Sequence, residues 1–361
     1  MNKNNERIIS RFRELLDEYP INYFQKLDSE SKFPVKFFND LKEKQLLSIK
    51  VNDNNSYHVF SEIASMIGEK SIGSSLCWVM HNQQYNMIIM YDPDFFKDKE
   101  QVLLSSMTSS YGGKWIGNND KIINKGGNNI LIREAPIVSY GEHSDSIVFT
   151  SHKKNDDCEV FLAYTNIENC IFTEPEFKLT SVTATASKPC KIDCDLNKIT
   201  FIGPFNKHFK NTFVPIAHIG WMSAYNGGVK GMMKRLRGEI RSGVNNHLHS
   251  RLKSSTLSKH RYAKVFTVTE TNGLLIEATI NNFLAGNNVK NHILNSVKIK
   301  VSESFSDIIG ILEQELGYSY ALKKNDALGL EMLSRDLKAA SLMYNNDALY
   351  DINFKHWYVG L

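Results

Sequence analysis

The stretch from Lys230 to Arg261 concentrates cationic side chains: Lys230, Lys234, Arg235, Arg237, Arg241, Arg251, Lys253, Lys259, His260 and Arg261. Such a cluster can hold a phosphate, and it is equally the composition of a solvated helix face. The overall balance, 43 Lys+Arg against 39 Asp+Glu, is too even to imply a nucleic-acid partner. Just upstream, His218 opens a long apolar segment; an imidazole titrates near neutrality and suits either general acid–base work or a structural place. Gly220, Gly227, Gly228 and Gly231 follow. Each interior glycine costs a helix about 1 kcal/mol relative to Ala, so the group needs a reason. Close approach of another body would supply one, and so would a helix break near Asn226. Cysteines offer less. Cys77, Cys158, Cys170, Cys190 and Cys194 are odd in number, contain no Cys-x-x-Cys pair and have no His cluster beside them. They read as idle thiols of a reducing cytoplasm, with no metal site.

These residues must be positioned by some scaffold. At 361 residues the chain is long enough for two or three cores. Its N-terminus, polar and then amphipathic, lacks the apolar region of a secretory signal, and no apolar run is long enough to span a membrane. Residues 1–107 are helical by period: Ile8, Ile9, Phe12, Leu15 and Leu16 share a face, Pro34 opens FFNDLKEKQLLSI, and SIGSSLCWVMHNQQYNMIIM forms an apolar helix. A further short helix is expected over Asp98–Met107. Residues 108–205 hold short β-branched runs such as NNILIREAPIV, DSIVFTSHK, EVFLAYT and NKITFIG, punctuated by Gly112-Gly113 and Gly126-Gly127. From 206 to 361 the helical period returns in four helices, near 213–241, 257–284, 290–316 and 325–341, which suggests an antiparallel bundle. The expected architecture is therefore α+β and multidomain. It has an N-terminal helical domain, a middle antiparallel β-barrel or sandwich, and a C-terminal four-helix bundle.

Several segments in this order resemble the acyl-CoA dehydrogenase family. SIGSSLCWVMHNQQ resembles a helix in which small residues precede an apolar stretch ending in His. MTSSYGGKW resembles a Gly-containing loop at the flavin edge. IVSYGEHSDSIVFTS is similar to a strand-turn-strand whose hydroxyl faces the flavin, and LTSVTATAS to a stretch ending Thr-x-Ser. GWMSAYNGGVKGMM is similar to the first bundle helix, and SRDLKAASLM to the Arg-Asp opening of the last one.

The resemblance implies FAD and an acyl thioester on CoA or an acyl carrier protein, oxidised by α-proton removal and hydride transfer. An electron acceptor or a flavin reductase would be the redox partner, and a homo-oligomer the assembly. Thr108 and Ser139 match flavin-contacting positions, with Tyr140, Thr185 and Ser187 beside them; as residue types they also cap turns and strands. A flavin ring could likewise account for the glycines. Arg251 is the nearest match to a phosphate-binding Arg, and Arg261 falls where a Gln would stand. The base is the main departure. Counting from Arg335-Asp336, the family's Glu position falls near Tyr344-Asn345, and the nearest carboxylate is Asp347, which also reads as a helix N-cap. Some relatives keep their base in the first bundle helix, where His218 stands. A missing Glu and a weakened phosphate motif also suit a flavin-dependent monooxygenase on the same fold, and a non-catalytic relative.

Overall fold

The computed structural model describes residues 3–97, 101–108, 120–153, 159–176, 178–243, 246–284 and 291–360. Five helices come first: α1 (Lys3–Asp17), α2 (Ile21–Ser29), α3 (Val35–Glu43), α4 (Asn54–Gly68) and α5 (Ile72–Ile89). Local chemistry starts them. Pro34 precedes α3, and a reciprocal pair, Ser56 N to Asp53 Oδ1 and Asp53 N to Ser56 Oγ, opens α4. Helix α5 is buried on nearly every side, so its polar residues need internal partners. Asn82 and Asn86 find them in the extended segment 47–51. Asn82 Oδ1 accepts from Ile49 N at 2.7 Å and Asn86 Oδ1 from Val51 N at 2.8 Å. Their amides donate back to Leu47 O and Ile49 O.

Eight strands follow: β1 (Leu104–Met107), β2 (Lys121–Lys125), β3 (Asn128–Val138), β4 (Ser146–Ser151), β5 (Phe161–Asn166), β6 (Cys170–Phe172), β7 (Lys188–Asp195) and β8 (Thr200–Pro204). They form two four-stranded sheets, ordered β1-β4-β5-β8 and β2-β3-β7-β6. One apolar cluster takes Met107, Ile147 and Phe149 from the first sheet and Leu131, Cys190 and Ile192 from the second. Three sequence expectations are corrected here. Leu104–Met107 is strand and not helix, because it pairs with β4. That pairing is parallel, Leu104 against Ser146 and Met107 against Phe149, so the middle region is not wholly antiparallel. Neither sheet closes on itself, so the described residues form no closed barrel.

The remaining helices are α6 (Asn206–His208), leading through a π-helical turn into α7 (Val214–Ser242), α8 (Asn246–Ser254), α9 (Thr256–Leu284), α10 (Asn291–Leu316), α11 (Tyr318–Ala321), α12 (Leu330–Leu337) and α13 (Asn346–Val359). The front and back helices share one apolar core, with Phe12, Phe60 and Trp78 packed in the same cluster as Val229, Phe305 and Leu333. Every residue of α7 from Pro215 to Val229 is buried. Close helix contact explains Gly220, Gly227, Gly228 and Gly231. A Cβ on Gly227 would lie 2.2 Å from Ser65 O, and one on Gly231 2.3 Å from Glu69 O. Reciprocally, a Cβ on Gly68 would lie 2.2 Å from Ala224 O. Helix α7 is unbroken at Asn226.

A pair of substitutions tests this seam. Gly227→Ala should destabilise by about 1–3 kcal/mol, because the added methyl meets backbone that has nowhere to go. Gly238→Ala, on the same helix with nothing within 4 Å of the added methyl, should stabilise by about 0.5–1 kcal/mol. Urea unfolding of both variants reads the contrast; equal effects would refute the backbone-contact explanation.

Candidate functional site

Hydroxyls gather at the rim of the β region. Ser139 Oγ lies 3.1 Å from Ser187 Oγ, and Ser187 Oγ lies 2.8 Å from Thr185 Oγ1. Ser105 Oγ donates to Ser139 O at 2.7 Å, tying the end of β3 to β1. Thr108, half-buried, is the residue after β1, whose last carbonyl, Met107 O, accepts from the buried Arg133. The Gly112-Gly113 loop lies outside the described residues. Tyr140 belongs elsewhere. Its ring is fully buried against Phe33, and its hydroxyl donates to Leu104 O at 2.8 Å. Its φ is +42°, and its N–H donates to Thr185 O, so it anchors the rim from behind.

A buried polar node holds that rim in place. Arg335 pairs with Asp28 at the end of α2 and donates to Glu331 at 2.6 Å and to Thr180 O at 3.0 Å. Asp336 accepts from Val182 N at 2.6 Å, and Thr183 Oγ1 donates to Asp28 Oδ1 at 2.5 Å. Val182 and Ala186 both have positive φ, a conformation unusual for such residues, so the turn carrying Thr185 needs this support. Burial and the neighbouring Asp28 push the Asp336 carboxyl up. Beside the node opens a cleft of about 620 Å³, lined by Ser187, Thr183, Lys188, Lys324 and Arg335 among others.

Deeper in, helix α5 links the rim to a second polar group. Its His81 accepts from Leu104 N and meets Ser48 Oγ at 2.9 Å, so this histidine is structurally satisfied. Further along α5, Gln83 reaches the start of α7 and the turn at Tyr344, where His218 and Trp221 of α7 also pack. The His218 ring meets Tyr344 edge-on at 5.2 Å, and Trp221 lies 4.6 Å from the same ring. Gln83 donates to Phe213 O at 3.1 Å and approaches the Tyr344 hydroxyl at 3.5 Å. Both ring nitrogens of His218, Trp221 Nε1 and Gln84 Oε1 are buried without a hydrogen-bond partner among the described residues. Each such orphan costs roughly 1–3 kcal/mol. The His218 and Trp221 nitrogens, on two rings that both pack on Tyr344, mark a place able to meet a polar group from outside the chain. Burial, reinforced by Lys298, lowers the His218 pKa to about 3.

Sequence reasoning located His218 and counted to Tyr344, and the structure brings those two together. It gave no role to Gln83, Trp221 or Lys298; no periodic signal distinguishes them from core residues. Asp347 stands apart, exposed in the first turn of α13, where Asn345 and not Asp347 supplies the cap by accepting from Asp347 N at 2.8 Å. Arg251 is also engaged elsewhere. It donates to Glu315 O at 2.9 Å, and Arg261 meets Glu315 Oε1 at 2.6 Å. Against the cost of burial, the hydrogen bond from Arg261 and the charge of Arg251, 3.6 Å from Glu315 Oε2, hold Glu315 below the usual carboxylate range. Both arginines thus neutralise a buried carboxylate of α10.

The sequence matches no protein-family model and no curated protein. Solved structures match over its whole length. A nitrososynthase from Micromonospora carbonacea var. africana superposes with a TM-score of 0.80 at 13% identity, covering 100% of this chain and 98% of that one. Butyryl-CoA dehydrogenase from Megasphaera elsdenii gives 0.79 at 10% identity, covering 99% and 98%. PigA, solved with FAD and proline, gives 0.78 at 12% identity, covering 100% and 98%. The chain has the acyl-CoA dehydrogenase fold. Within this fold, the residues present can be tested against a flavin. A flavin ring offers hydrogen-bonding edges, and the Ser139–Ser187–Thr185 chain and the orphaned atoms are partners of matching chemistry. The ring end therefore fits. Arg251 does not fit the phosphate end, since its guanidinium is committed to Glu315. Among the described residues no helix is long and apolar enough to cross a membrane, and no group of His, Cys, Asp and Glu is arranged to hold a metal.

The buried histidine sets an acid sensitivity. His218 has a folded pKa of about 3 and an unfolded one near 6.5, so its stabilising neutrality is fully present above pH 6.5 and is lost as pH falls toward 3. Between pH 7.5 and 5 wild type should lose about 2 kcal/mol more stability than His218→Gln. Urea midpoints at the two pH values measure the difference; parallel losses would show that His218 is not held neutral.

Proposed function

We propose that this protein is a flavin-dependent oxidoreductase of the monooxygenase type, using FAD. The observation that carries this reading is the ring packed on His218: it is Tyr344, at the position where acyl thioester dehydrogenases are expected to keep a carboxylate base. Removing an α-proton calls for a base whose pKa lies near the working pH. His218, lowered to about 3, is a weak one, and Asp347 faces solvent. When bound and reduced, a flavin supplies the electrons that activate dioxygen, a chemistry that needs no carboxylate base.

The chain's own residues then have these roles. Ser139, Ser187, Thr185 and Thr108 hold the edge of the ring at the β rim. His218 and Trp221 offer unpartnered nitrogens that bind and orient the substrate's polar group. Tyr344 and Gln83 close the floor and keep water out. A separate flavin reductase is the electron donor. This work is shared among three regions, residues 1–107, 108–205 and 206–361, with the pocket where they meet.

The second reading, a dehydrogenase of an acyl thioester on CoA or a carrier protein, is favoured by the unpartnered His218 nitrogens, which leave the imidazole free to take a proton. Anaerobic titration with oxidised and reduced FAD, followed by oxygen consumption, separates the two. The expected result is tighter binding of reduced FAD, oxygen-dependent reoxidation and no α-proton exchange in acyl-CoA analogues. Tight oxidised FAD with α-proton exchange that disappears in His218→Ala would overturn the monooxygenase reading in favour of the dehydrogenase.

A further inference from the structure

Tyr344 is held in an uncommon way. Its φ is +47°, a region that costs a non-glycine residue about 1–3 kcal/mol and persists only where the surroundings over-determine it. Its side chain is fixed by the rings of His218 and Trp221 and approached by the Gln83 amide. Its backbone is fixed from α10. Lys298 Nζ donates to Tyr344 O at 2.8 Å and to Asn346 Oδ1 at 2.7 Å. Asn346 is itself buried and locked by Ser302, whose hydroxyl accepts from its amide at 3.0 Å.

Lys298 is only 2% exposed. A buried lysine is normally paired with a carboxylate. This one has no ion-pair partner among the described residues; its two hydrogen bonds go to a carbonyl and an amide oxygen. Burial lowers its pKa to about 8, opposed by the field of Glu303 on the same helix, while His218 on α7 feels its charge. Holding an unpaired cation in the core is costly. A methionine would fill the same space without that penalty. What the ammonium provides, and an apolar side chain does not, is a clamp on the strained carbonyl of Tyr344.

We propose that Lys298 is the positioning residue of the candidate site, holding Tyr344 against His218 and Trp221 from behind. The inference rests on reading that place as the site of reaction. Lys298 touches no substrate in this scheme; it acts through the Tyr344 backbone. Loss of the clamp frees the turn between α12 and α13 to leave the αL conformation, carries the Tyr344 ring off Trp221 and admits water to the floor.

The test uses the full-length protein labelled with 5-fluorotryptophan, with the Trp221 resonance assigned by Trp221→Phe. In Lys298→Met the Trp221 resonance should shift or broaden, while that of Trp78, buried among Phe12 and Phe60, stays in place. Ile299→Ala, a neighbouring core truncation on α10, should lower stability without moving Trp221. An unmoved Trp221 resonance in Lys298→Met, or an equal shift in Ile299→Ala, would overturn the proposal. Should Lys298→Met fail to fold, Lys298→Gln gives the same readout, because its shorter amide cannot span both acceptors. No flavin is needed for this measurement. Wild type that binds no reduced flavin would sink the functional reading and leave the clamp intact, whereas a static Trp221 would sink the clamp alone.

Discussion

Backbone meets backbone where α4 crosses α7, and the rest of the helical core depends on that contact. The atoms facing Gly227, Gly231 and Gly68 are carbonyl oxygens and Cα atoms, which cannot rotate away as a side chain would. The crossing therefore has one depth and one register. With α7 pinned, its first half is enclosed on all sides, which is why an imidazole and an indole nitrogen are buried there with no hydrogen-bond partner among the described residues. A looser crossing would hydrate His218 and return it to ordinary titration.

The β region is attached to this core through charge and hydrogen bonds as much as through apolar packing. Asp28 from α2, Arg335 and Asp336 from α12 and the backbone at Val182 form one buried network. Buried networks of this kind stabilise only when every member is satisfied. Here each carboxylate has a donor, and the return is positional: the Thr185–Ser187 turn, strained at both ends, is held where its hydroxyls reach Ser139. The Arg-Asp pair in the last bundle helix thus serves as a joint between the β rim and the helices.

The chemistry open to the candidate site follows from what surrounds His218 as well as from what is missing there. His218 is fully buried with the Tyr344 ring edge-on against it, and the charge it feels is that of the Lys298 ammonium. Such a setting favours a neutral imidazole that binds and orients over one that collects a proton. The two arginines that would be natural phosphate ligands are drawn instead to Glu315, because a buried carboxylate takes any cation within reach.

Much of the scaffold was legible in the sequence because it is local. The 3.6-residue period marks α1, α7, α9 and α10; Pro34 marks a helix start; β-branched runs mark β3, β4 and β5. The glycines of α7 left open a close approach or a helix break, and could not name a partner, since α4 lies over 150 residues away in the chain. Leu104–Met107 was unreadable for a related reason: four residues take the conformation of whatever strand they pair with, and β4 lies far along the chain. Among candidate site residues, His218, Ser139 and Thr185 were visible by type and likeness. The sequence determined which side chains are capable of chemistry. Tertiary structure alone decided which of them meet, because burial, orphaned hydrogen bonds and the field of Lys298 arise only when helices distant in sequence converge.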